Sequence, residues 1–160
     1  MGIRMVTPMS AIDNYLRQAT NILKTEITMA LAKLGEECVA KARDRSAEES
    51  WIDQTGNLRS SIGYAVYDHA VKQVESAFNV VMKGKQGPSE GRKMIDEAAR
   101  QYSDVFALVV VAGMNYAEWV EAKKNKDVLE STRIWAEKVC IERLNKAKEV
   151  AIRKINQLTT

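Results

Sequence analysis

Between residues 12 and 38 the apolar side chains Ile12, Leu16, Ala19, Leu23, Ile27, Ala30, Leu34 and Cys38 recur at spacings of three and four. That period belongs to one face of an α-helix, and no other feature constrains the chain as strongly. Ser10 followed by Asp13 has the spacing of an N-terminal cap, so the pattern predicts a helix over 11–43. At ~1.5 Å per residue such a helix is ~50 Å long, more than one domain of this size needs across its core. Two outcomes are open: a bend near Gly35, where helix propensity is poorest, or an end that runs past the body of the domain. Either way the stripe requires a surface to bury against.

Beyond the helix the periodicity changes. The polar stretch "DRSAEESWIDQTG" ends it, with Trp51 and Ile52 as its large apolar residues, expected to tuck under the body. In "IGYAVYDHA" the alternation of Ile62, Tyr64 and Val66 is that of a strand, and "VESAFNVVM" carries the β-branched and aromatic residues strands favour. These predict an antiparallel strand pair over 62–82, turning near Asp68 to Lys72. "KGKQGPSEGR" has three glycines, one proline and no apolar residue, which predicts a mobile loop over 83–91. Met94, Ile95, Ala98 and Ala99 mark a short inserted helix over 92–102. The run "VFALVVVAG" then gives the strongest strand, 104–113, and its near-continuous apolarity implies cover on both faces, as in a central strand or one buried at an interface. Trp135, Val139, Leu144, Ala147, Ala151, Ile155 and Leu158 complete a long C-terminal helix over 128–158. The whole is a single α+β domain over 1–160, with a small antiparallel sheet of about three or four strands.

Composition narrows the function classes. With 46% hydrophobic and 28% charged residues the chain has ordinary globular composition, and no apolar run reaches the ~20 residues that span a bilayer. "MGIRMVTPMS" lacks the apolar core and cleavage site of a signal peptide, so the expected setting is the cell that makes the protein, without a membrane. The single histidine, His69, falls in a predicted turn, and without a second imidazole or a nearby thiol it supports neither a nucleophilic triad nor a metal site. Cys38 and Cys140 lie in helical patterns as small hydrophobes, not as a disulfide. "GKQGPSEG" does not match a phosphate-binding loop. No catalytic residue, metal ligand or cofactor is assigned. Formal net charge is +3, spread over helix faces. The basic residues Lys83, Lys85, Arg92 and Lys93 around the glycine-rich loop, and "KKNK" at Lys123 to Lys126, are candidates for phosphate contact. They define an alternative function, a small cytoplasmic nucleic-acid-binding or regulatory module.

Two further segments remain, "TGNLRSSI" and, just after the apolar strand, "AGMNYAEWVE". In the first, Gly56 provides a sharp turn while Leu58 and Ile62, four apart, anchor entry to the sheet and Arg59 points outward. With the helix–sheet–helix plan around them, the two segments resemble the small tail-completion, or head-to-tail joining, proteins of long-tailed bacteriophages. The residues that carry the resemblance are Thr55, Gly56, Leu58, Ser61 and Ile62 in the first segment, and Tyr116, Ala117, Val120 and Glu121 in the second. Ala122 stands where that family usually has glycine. The resemblance implies a non-enzymatic virion component, a homo-oligomeric ring that meets other head, neck or tail proteins and that DNA passes through. It would be made in the host cytoplasm and end in the virion. Trp119, an aromatic in the second segment, and Arg59 are the candidate subunit-interface residues, while Tyr116 is expected to pack back on its own domain.

Overall fold

The computed structural model describes residues 7–44, 54–123 and 128–159. Its elements in order are α1 (Met9–Arg43), α2 (Asn57–Ser61), β1 (Ile62–Asp68), β2 (Val71–Glu75), α3 (Gly87–Ala99), β3 (Phe106–Ala112), α4 (Ala117–Lys123) and α5 (Glu130–Asn156). This is the α+β plan expected, with three strands. Trp51, Ile52 and Lys124 to Lys126 lie outside the described residues. No described helix is long and apolar enough to cross a membrane.

The sheet is antiparallel throughout, in the order β2–β1–β3. β1 therefore lies in the centre, and six of its seven residues are buried. Ile62, Tyr64 and Val66 point to one side, where they join Leu31, Val39, Ala42 and Leu58 in a cluster under α1. Ala65 and Tyr67 point to the other, packing with Phe78, Ile95 and Ala99 beneath α3. Two clusters on opposite faces make a three-layer domain: helices, sheet, helix.

α1 is one continuous helix and does not break at Gly35. That residue is a close-approach position instead, because a Cβ there would lie 2.3 Å from Cδ2 of the Tyr64 ring. Absence of a side chain lets the helix settle onto the central strand, and the Tyr64 hydroxyl then donates to Glu36 Oε1 at 2.9 Å. Arg43, in the last turn, donates from Nη2 to the Ile62 carbonyl at 2.6 Å. The helix begins at Met9 after Pro8, not at a Ser10 cap: Pro8 is extended, with φ fixed near −60°, and no side chain caps this end.

Three boundaries differ from the pattern reading. The second strand stops at Glu75 rather than continuing toward Met82, because Phe78 and Met82 adopt positive φ and the ladder cannot run through them. In place of a strand, residues 76–80 carry Phe78 inward to the α3 face. The inserted helix, expected over 92–102, begins earlier, at Gly87, so the second half of the predicted loop is helical and Arg92 and Lys93 lie inside the helix rather than at its start. Its glycines reflect close contact as much as turning, since a Cβ on Gly87 would meet the Asn57 carbonyl oxygen at 2.4 Å. α4 has no counterpart in the pattern reading, its seven residues being too few to show a period.

The joint at α2 follows the sequence closely. Gly56 has φ +81°, a left-handed value, and a side chain there would also strike the Val81 carbonyl oxygen. Thr55 Oγ1 accepts from the Asn57 amide at 3.3 Å, and Leu58 and Ile62 are fully buried. Ser60 ties the turn to the segment after β2, accepting from the Val81 amide at 2.7 Å while its own hydroxyl donates to the Gly56 carbonyl at 2.6 Å. Leu58→Ala and Ile62→Ala are each expected to cost about 2–4 kcal/mol, read as a shift in the urea midpoint. Midpoints equal to the parent's would show the joint to be superficial.

Burial also sets a pH limit. It pushes the Cys38 thiol from 9.0 to about 11 and, with help from the Glu36 hydrogen bond, the Tyr64 phenol from 10.0 to about 12; burial raises Tyr67 as well. These acids hold their protons longer folded than unfolded, so the unfolded chain ionises first as pH rises. Their stabilisation is complete below the ordinary values and is lost as pH climbs through the folded ones. Stability should fall steadily above about pH 9, and Tyr64→Phe should flatten the upper part of that slope. Denaturation midpoints measured across this range test it, a pH-independent midpoint being the contrary result.

Candidate subunit interface

β3 is apolar along its whole length, and the fold explains why. Ala107, Val109 and Val111 pack toward α3, while Phe106, Leu108, Val110 and Ala112 face α1 from the margin of its cluster. The α3 face is buried but the α1 face only half-buried, so the cover the sequence implied is complete on one side alone. The strand is also not central. It pairs with β1 alone, from Ile62 opposite Ala112 to Asp68 opposite Phe106, and its outer edge has no strand beside it among the described residues. Continuous apolarity reports cover above and below a strand and carries no information about its edges.

The other helix of that layer stands off the edge. α5 runs antiparallel to α1, with Lys154 paired to the buried Glu26 and, eleven residues earlier on α5, Arg143 paired to Glu37, eleven residues later on α1. Only Thr132, Ala147 and Ala151 of α5 are buried, the two alanines being one turn apart. Between α5, α1 and the β3 edge lies an open groove of about 960 Å³. Ile27, Leu31 and Leu34 form its α1 wall; Leu108 and Val110 come from β3, and Ala136, Cys140 and Leu144 from α5. Consecutive residues from Val105 to Val110 line it, so the strand's edge opens directly into the groove. Sequence periodicity marked the α1 and α5 stripes but could not show that they diverge here.

The two family-like segments meet inside the domain. Leu58, Ile62 and Ala117 share the cluster under α1, with Val120 against it, and the Gly113 amide donates to the Ser61 carbonyl at 3.2 Å. Ser61 is buried, its hydroxyl donating to the Leu58 carbonyl at 2.8 Å. Glu121 acts locally on the next helix, where its Oε1 accepts from the backbone amides of Leu129 and Glu130, at 3.1 and 2.8 Å. A carboxylate there satisfies amide groups that open α5 and complements the positive end of its dipole. Trp119 on α4 is 49% exposed, and Tyr116, just before that helix, is 36% exposed. Arg59 does not point freely outward; it is half-buried, and its Nε is enclosed.

The basic residues differ in their partners. Arg92 pairs with Glu75 at 2.9 Å and lies over the Phe78 ring, so its charge is engaged within the fold; Lys83, Lys85 and Lys93 are exposed. His69 sits in the β1–β2 turn with positive φ, hydrogen-bonded to Asp68 and edge-on to Phe106. Both thiols are free, and Cys38 is buried. Among the described residues, no three His, Cys, Asp or Glu side chains gather as metal ligands would. Against known proteins the chain matches no family model, no curated protein and no solved structure.

Glu121→Ala is expected to lower stability by about 1–2 kcal/mol through loss of the cap, with Glu121→Gln retaining much of it because an amide oxygen still accepts. Thermal melts of the two variants check this; an unchanged Glu121→Ala midpoint would remove the capping role.

Proposed function

We propose that the protein is a non-enzymatic structural component of a phage or prophage, a tail-completion or head–tail connector protein that works as a ring of identical copies. The observation that carries this reading is the meeting of the two family-like segments: Leu58, Ile62, Ala117 and Val120, far apart in sequence, pack together beneath α1. A resemblance resting on chance matches would not require its two halves to be neighbours. The apolar edge of β3, which has no strand beside it among the described residues, adds support, because such an edge invites pairing or cover by another chain unless it is protected.

In this reading other head, neck or tail proteins contact the ring, DNA passes through it, and the host cytoplasm is where it assembles before entering the virion. Trp119 is the contact residue assigned to the α4 surface. An interface tryptophan contributes ~2 kcal/mol or more at a well-packed contact, and a ring repeats the loss at every subunit.

Trp119→Ala is expected to leave the thermal melt of the isolated chain unchanged while blocking head-to-tail joining in a complementation assay; His69→Ala should do neither. Normal joining by a normally melting Trp119→Ala chain would refute the contact. Cryo-electron microscopy of the particle provides the wider test, and density for this chain away from the head–tail junction would refute the assignment itself.

A further inference from the structure

α1 is longer than the body it packs on. Its two ion pairs with α5 fix the antiparallel register, and carried forward this places Thr159, the end of the C-terminal turn, level with about residue 21. Residues Met9–Thr20 therefore extend past α5 as a helical arm of ~18 Å. No described residue before Glu26 is buried. The arm carries Met9, Ile12, Leu16 and Ala19 on the same helical face as Ile27 and Leu34 of the groove, and Leu16 is 56% exposed.

We infer that the groove beside β3 receives the α1 arm of a second copy of this chain. Three observations support that occupant. The arm cannot fill its own groove, because α1 is unbroken and its continuation forms the groove's wall. The dimensions agree: the α1 wall from Leu23 to Cys38 is ~22 Å long, against an arm of ~18 Å. A helix ~10 Å across and of that length occupies on the order of 1400 Å³, so a groove of about 960 Å³ takes its apolar face and leaves its polar face at the surface. Finally, the arm repeats the apolar stripe that already packs against α5 further along the same helix, so an amphipathic helix in this groove reproduces a contact the chain makes within itself. Covering the β3 edge with a helix is also an established means of protecting it.

Such a contact would join the subunits of the proposed ring, and it depends on that reading only for the number of copies. Leu16→Cys places a thiol on the exposed arm, and the native Cys140 lies in the groove. With oxidised glutathione, copies should become linked between positions 16 and 140 of different chains, as identified by peptide mapping. Gln18→Cys, on the opposite helical face, should link at least ~10-fold less. Leu16→Asp and Ala136→Glu, each at a position not buried in the single chain, should each weaken self-association at least ~10-fold by light scattering, with unchanged circular dichroism. A mixture of these two variants should pair, because each retains the half the other lacks. Absence of the 16–140 link, or association of Leu16→Asp at parental strength, overturns the inference. A ladder of linked species supports both the arm and the ring. Linked pairs alone support the arm and count against the ring, while a Leu16→Asp chain that associates at parental strength and still joins heads to tails overturns the arm contact and leaves the proposed function standing.

Discussion

The close seating of α1 on β1 governs the rest of the architecture. At Gly35 the helix backbone comes within reach of the Tyr64 ring, and the Glu36–Tyr64 and Arg43–Ile62 hydrogen bonds fix the helix on the middle strand of the sheet. Three strands at ~4.8 Å spacing make a surface ~10–15 Å wide, enough for one helix of ~10 Å diameter along its centre. Once α1 occupies that line, α5 finds no place on the sheet. It packs on α1 instead and overhangs the β3 side, and the groove follows from that geometry.

Attachment of α5 is correspondingly light in apolar burial. Its buried residues are two alanines and a threonine, which let the backbones approach, and ion pairs at Glu26 and Glu37 hold the register. Glu26 is the more demanding of the two, because a buried carboxylate deprived of Lys154 would carry an uncompensated desolvation cost. The exposed Ile134, Ile141 and Ile152 show that much of the apolar surface of α5 lies away from α1. Helix α5 is therefore placed by its two ends, with Glu121 ordering its first turn and Lys154 anchoring its last.

Much of this was legible in the residues. A long run at spacings of three and four identified α1 and α5, because helix periodicity survives whatever lies on the far side. Gly56, Leu58 and Ile62 were also readable, since a left-handed turn and a buried pair four apart have local signatures. The β3 edge was not. Ala107, Val109 and Val111 on one face and Phe106, Leu108 and Val110 on the other give unbroken apolarity whether the strand has one neighbour or two, so a central strand and one buried at an interface read alike. Phe78 misled: in a stretch rich in β-formers, its positive φ turns the chain so that the ring enters the core on the α3 side. Glu121 looked like a motif residue and proved to be a helix cap, a role set by the distance to Leu129 and Glu130 across a turn that has no sequence period.

An edge strand, an overhanging helix and a projecting arm are usually separate liabilities, and here they have one cause. A chain with one helix too many for its sheet must leave some apolar surface uncovered, and the same excess of helix is what extends α1 beyond α5. A monomer could dispose of the excess by shortening α1 to the level of α5, at no cost to either core cluster, since no residue before Glu26 belongs to them. The first turns of α1 contribute nothing buried to the fold, yet they continue its apolar face without interruption from Leu23 back through Leu16 and Ile12. Among the described residues nothing buries that stretch. The inferred contact with a second copy would, because burial there makes an apolar residue in place of a polar one at Leu16 favourable.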